Sequence, residues 1–215
     1  MFYITNFYCL LLLIVSFIGL FRFKRLSNPF KILSISVIVV FVFNIISQIL
    51  IAQFHNNAPS LQVETITEFV FYALIYYFLI KNVLLKKVIL IIIIGSVVFS
   101  VVNAIFLQPF NKVFPTNIYL PAQIMLAILS LLLFKQMLAY PLKVNITKQS
   151  AFWYNIATLF YATTMFLNLG LSNYLVNYKM DYALYYFWYF SLYLFHILIG
   201  IALLNDDHSL ILKDA

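Results

Sequence analysis

The chain has 215 residues, of which 65% are hydrophobic and 9% charged, and it carries a formal net charge of +7. A water-soluble domain of this length covers its surface with roughly a quarter charged residues, so the composition excludes a soluble fold and places the apolar excess in lipid. The single cysteine, Cys9, lies inside an apolar run, which excludes a disulfide framework, a zinc knuckle or a thiol redox pair within the chain.

A hydrocarbon core of about 30 Å takes about 20 residues of helix, so the length accommodates roughly seven crossings and leaves no soluble enzyme domain. Long apolar runs bounded by Pro, Asn and charge predict helices near 2–21, 30–51, 61–80, 85–107, 117–138, 151–172 and 182–204. The first run has no basic residue ahead of it and a basic cluster after it. A cleaved signal peptide has the reverse polarity, so this run reads as a retained first helix. All six prolines (Pro29, Pro59, Pro109, Pro115, Pro121, Pro141) fall between the runs or in a helix's first turns, where a missing amide donor costs little.

Basic residues alternate from gap to gap. Arg22, Lys24, Arg25, Lys31, Lys81, Lys86, Lys87, Lys135, Lys143, Lys148 and Lys213 fall on one side, and only Lys112 and Lys179 fall on the other. By the positive-inside rule the amino end is outside and the carboxyl end cytoplasmic. The expected fold is therefore all-α: one polytopic bundle of seven transmembrane helices spanning residues 1–215. The positive charge fits an anionic lipid leaflet, with the bilayer itself as partner, and no nucleic-acid footprint is present. Usage rich in Lys, Asn, Ile, Phe and Tyr, with short connections, is associated with low-GC bacteria, so the expected location is a bacterial cytoplasmic (inner) membrane.

The last predicted helix carries Tyr182, Tyr186, Tyr189, Tyr193, His196 and Gly200 at steps of four and three, along one stripe. Hydroxyls and an imidazole prefer partners to lipid, so the stripe is expected to face the interior, with Leu184, Phe187 and Leu194 turned more toward lipid. The alternative for the stripe is ordinary interhelical packing. The sixth helix carries Tyr154, Thr158, Tyr161, Met165 and Asn168; the third Thr65, Glu68, Tyr72 and Tyr76. With Asn44, Ser47 and Gln48 on the second helix, Asn103 on the fourth, and Tyr119 and Gln123 on the fifth, most interior polar residues gather toward the outer half, as for a cavity that opens outward. The expected pocket residues are Asn44, Gln48, Glu68, Tyr72, Asn103, Gln123, Tyr161, Asn168, Tyr186, Tyr189, Tyr193 and His196.

Glu68 lies seven residues past Leu61, roughly 10 Å into a helix that starts there. A carboxylate at that depth faces water, a partner or a proton; otherwise it sits with Glu64 at the headgroups. His55, His196 and His208 fall at different depths, so they form no metal site, and no Ser-His-acid grouping shares a depth. The sequence thus predicts no catalytic constellation, cofactor or metal. A retinal protein needs a lysine deep in its last helix, and residues 182–204 contain none. No Pro-Gln pair of the sugar and PQ-loop transporters occurs either.

Pro141-Leu142, Phe152-Trp153, Tyr161, Trp188 within a Tyr/Phe-rich last helix, and Glu68-Phe69 entering the third helix together resemble a group of uncharacterised bacterial seven-helix membrane proteins often encoded beside sensor kinases. The resemblance covers about two-thirds of the chain. It implies a signalling role and carries over no catalytic or binding residues. The leading functional expectation is a receptor-like sensor with an outward polar and aromatic pocket for a small ligand, signalling to a separate membrane or cytoplasmic partner. The alternatives are a small-molecule transporter or permease, against which stand only four glycines and no mid-helix proline, and a structural subunit of a membrane complex.

Overall fold

The computed structural model describes residues 2–111, 114–141, 145–175 and 181–206. Lys112, Leu142, Lys143, Lys179, His208, Lys213 and the side chain of Tyr182 lie outside the described residues. Among the described residues there are seven long helices: α1 (Phe2–Arg22), α2 (Asn28–Phe54), α3 (Ala58–Leu79), α4 (Val83–Val102), α5 (Thr116–Ala139), α6 (Ser150–Leu175) and α7 (Asp181–Asn205). A π-helical turn, Asn103–Leu107, prolongs α4, and a 3-10 turn, Ile146–Lys148, precedes α6.

The breakers act where the sequence places them. The largest departure is the α2–α3 connection, which is tighter than expected. Here α2 runs to Phe54, His55 takes a left-handed conformation with its N–H on the Ile51 carbonyl, and Asn56 Oδ1 accepts the Ala58 N–H at 2.9 Å. Pro59 follows in the first turn of α3, where no intrahelical partner for its nitrogen exists. Asn82 caps α4, its Oδ1 accepting from the Leu84 and Leu85 amides at 2.9 and 3.1 Å.

Five helices are long and apolar enough to cross a membrane: α1, α2, α4 with its π turn, α5 and α7. The remaining two are the polar-rich ones. Gln62 and Thr65 on α3, and Asn155, Thr158 and Asn168 on α6, are buried against other helices, so those polar groups are withdrawn from the surroundings.

The helices form a ring in which α1 packs on α2, α2 on α3, α3 on α5, α5 on α6, α6 on α7 and α7 back on α1. Helix α4 leans on the outside of α3 and buries only Ile89 and Ile93. Helices α1 and α7 lie side by side in parallel, with Thr5 beside Tyr189 at one end and Arg22 beside Leu203 at the other. A shared buried network joins three helices: Tyr76 of α3 donates to Asn155 Oδ1 of α6 (3.0 Å), Ser130 of α5 donates to the same oxygen (2.8 Å), and Asn155 Nδ2 donates to the Ser130 carbonyl (3.0 Å). Between α1 and α2 the approach is close enough that a Cβ at Gly19 would overlap Ser34 Oγ.

The end of the bundle that holds the carboxyl terminus of α7 is tied by Asp206, which the sequence reading did not single out. Its carboxylate accepts from the Ser27 N–H (2.6 Å), the Ser27 hydroxyl (3.2 Å) and the Ser150 hydroxyl (3.0 Å). Arg22 meanwhile donates to the carbonyls of Leu203 and Asp206 (3.1 and 3.0 Å). The starts of α2 and α6 and the ends of α1 and α7 therefore meet at one buried carboxylate.

Candidate functional site

At the opposite end, where α1, α3, α5 and α7 begin, the ring encloses a cavity of about 460 Å³. Six helices line it, and α4 does not: Thr5 and Tyr8 come from α1, Asn44, Ser47 and Gln48 from α2, Glu64, Thr65 and Glu68 from α3, Tyr119 from α5, Tyr161, Asn168 and Ser172 from α6, and Tyr185, Trp188 and Tyr189 from α7. Asn57 and Phe114, in the connections, line it at the end of the bundle. Glu64 and Glu68 are one turn apart on one face of α3, so both carboxyl groups reach the same space. No lysine, arginine, histidine or cysteine is among the described lining residues.

The floor is aromatic. Tyr161 stacks on Phe195 with ring centroids 4.5 Å apart and shares a 3.1 Å hydroxyl contact with Tyr119. Trp188 stacks on Tyr119 at 5.9 Å and meets Phe114 edge-on. A recess of about 10 Å³, room for about one water, leads from Glu68 and Tyr161 down to Tyr72 and Gln123. Among the described residues lining the cavity and the recess, two polar atoms are left without hydrogen-bond partners, Ser47 Oγ on the cavity wall and Gln123 Oε1 in the recess, both in buried side chains.

Of the residues expected from the sequence, Asn44, Gln48, Glu68, Tyr161, Asn168 and Tyr189 line the cavity, and Tyr72 and Gln123 line the recess. Four do not. Asn103 is wholly buried between α4 and α5, where its amide donates to Gln108 Oε1 (3.2 Å) and accepts from Asn117 Nδ2 (3.1 Å), locking the π turn to the start of α5. His196 lies beneath the floor, its Nδ1 on the Leu192 carbonyl at 2.9 Å. Tyr193 donates to the Ile4 carbonyl (2.6 Å) across the α1–α7 seam. Tyr186 is 58% exposed on the outer face of α7.

The error on α7 is one of rotation. Leu184, expected toward lipid, lines the cavity, while Trp188, Ser191, Phe195 and Ile199 continue its face inward. Of the stripe, Tyr189, Tyr193 and His196 form the flank against α1, where Tyr8 meets their rings edge-on. A hydroxyl at the tip of a long ring finds its acceptor sideways, so polarity alone does not orient the helix. Thr5, Tyr8 and Ser172 were also missed; the i, i+3 spacing of Thr5 and Tyr8 in the first turns of a largely apolar helix was the available signal.

Comparison with protein-family models, with curated proteins and with solved structures finds no significant match for this chain. The functional reading therefore rests on the cavity.

Proposed function

We propose that the protein is a seven-helix receptor-like sensor of a bacterial cytoplasmic membrane, with its amino end outside, its carboxyl end in the cytoplasm and an outward-facing pocket for a small ligand. Helices α3 and α6 join the five apolar helices as crossings: they match those helices in length, and Gln62, Thr65, Asn155, Thr158 and Asn168 are buried against other helices. The bias of basic residues sets the orientation. The observation that carries the reading is a cavity of about 460 Å³, a size typical of small-molecule sites, at the end of the bundle that this orientation turns outward. Below it stand the packed Tyr72, Tyr161 and Phe195 rings, and below those the Asp206 tie. Occupancy would be felt through six helices whose other ends meet near the cytoplasmic face, where a separate partner reads the change.

Accessibility of Ser47→Cys in a Cys9→Ser background tests this. A membrane-impermeant thiol reagent should modify it from outside in sealed cells and in right-side-out vesicles, but not from the inner face of inverted vesicles. Lys24→Cys, in the α1–α2 connection, should show the opposite. Modification of Ser47→Cys from both faces would replace the sensor by a permease with alternating access, and modification of both cysteines from the same face would overturn the topology.

A further inference from the structure

We infer that the cavity takes a soluble organic ammonium ion, a primary or quaternary amine on an aromatic or alkyl body. The inference rests on the pocket reading and adds the ligand's chemistry to it. Only six acidic residues occur in a chain of net charge +7, yet two of them, Glu64 and Glu68, face the cavity, and no basic side chain is among its described lining residues. Two carboxyl groups one turn apart on a helix oppose each other's ionisation. A cation between them favours the charged form of both and supplies the countercharge the walls lack.

The remaining walls select the kind of cation. Tyr119, Tyr161, Tyr189 and Trp188 present aromatic rings, and Ile51, Leu61 and Leu192 present aliphatic surface. Ring faces attract ammonium groups while still packing on apolar bodies. A hydrated inorganic ion would leave most of a cavity of about 460 Å³ without a use. The unpartnered, buried Ser47 Oγ on the adjoining α2 wall adds an acceptor for an ammonium N–H or a hydroxyl of the ligand. Asn57, Phe114 and Ser172 mark the cavity's reach to the helix ends, which favours a ligand from solution over a lipid headgroup entering from the side.

The experiment uses the full chain in nanodiscs of phosphatidylglycerol, carrying Trp153→Phe so that Trp188 alone reports. Three probes of similar shape are titrated: phenethyltrimethylammonium, 2-phenylethanol and 3-phenylpropionate. The cation should change Trp188 emission saturably, with the neutral probe about tenfold weaker and the anion without effect. The Glu64→Gln/Glu68→Gln double variant should bring the cation down to the affinity of the neutral probe while leaving neutral binding in place, which also shows the variant is folded. Exchange of the lipid for phosphatidylethanolamine removes the anionic surface that concentrates any cation, so it should weaken the cation by the same factor in the parent and in the double variant; a larger loss in the parent would assign the site to a headgroup and overturn the soluble ligand. Equal binding of all three probes, a preference that survives the double variant, or no saturable binding of the cation would overturn the charge assignment. Ser47→Phe separates the two readings. Loss of probe binding there with no charge preference keeps the pocket and removes the cation, whereas unchanged binding means the probes sit elsewhere and removes both.

Discussion

Asp206→Ala should be among the most damaging substitutions at a bundle end. The carboxylate is 1% exposed and sits where α2 and α6 begin, so it meets the positive ends of two helix dipoles as well as three donors. It also sits at the end of α7, whose own dipole disfavours it; Arg22, bonded to the Leu203 and Asp206 carbonyls, offsets that. Alanine strands the Ser27 amide, the shortest of the three bonds, while the two serine hydroxyls can turn to other partners. One charge-assisted bond at about 1.5–3 kcal/mol plus a dipole contribution of about 0.3–1 kcal/mol gives a cost of about 3 kcal/mol. Asparagine keeps one acceptor for the Ser27 amide and offers its NH2 to the serine oxygens, so it should cost about 1 kcal/mol, the loss of charge assistance. Unfolding by increasing SDS mole fraction in mixed micelles, followed by far-UV circular dichroism, reads both values. An alanine variant within about 0.5 kcal/mol of the parent, or an asparagine variant as damaged as the alanine one, would refute the account.

Gly19→Ala should destabilise by about 1–3 kcal/mol through overlap with Ser34, and adding Ser34→Gly should recover most of that loss in the same titration. Tyr186→Leu should lie within about 0.5 kcal/mol of the parent because the ring is exposed, whereas Tyr161→Leu, which gives up the Phe195 stack and the Tyr119 contact, should cost about 2 kcal/mol. Equal costs for the two tyrosines would mean that α7 is rotated as its tyrosine stripe suggested.

The helices were legible because their signal is additive: twenty apolar residues between breakers outweigh any single misplaced side chain. The gathering of polar groups in one half of the bundle was legible for a related reason, since Asn44, Gln48, Glu68 and Asn168 each have few places to be satisfied inside an apolar ring. Individual roles were not. Asn103 has the same residue type and depth as Asn168, and only the π turn, which brings Gln108 and Asn117 onto it, decides that it ties a connection rather than faces the cavity. Asp206 reads as one carboxylate in a polar tail next to Asp207. Its importance depends on the starts of α2 and α6 arriving beside it, contacts more than fifty residues away in the chain.

The two ends of the ring differ in how their polar groups are satisfied, and that contrast shapes the functional argument. Around Asp206 every carboxylate bond has a named donor from the protein itself, and Asn155, Ser130 and Tyr76 satisfy one another in the middle of the bundle. Around Glu64 and Glu68 the lining offers hydroxyls and amides but no cation, and Ser47 Oγ has no partner. Glu68 has the Tyr72 hydroxyl as a partner, but two carboxyl groups facing one cavity without a countercharge cost stability that packed apolar residues would supply. Under the proposed reading, a bound ligand would offset that loss.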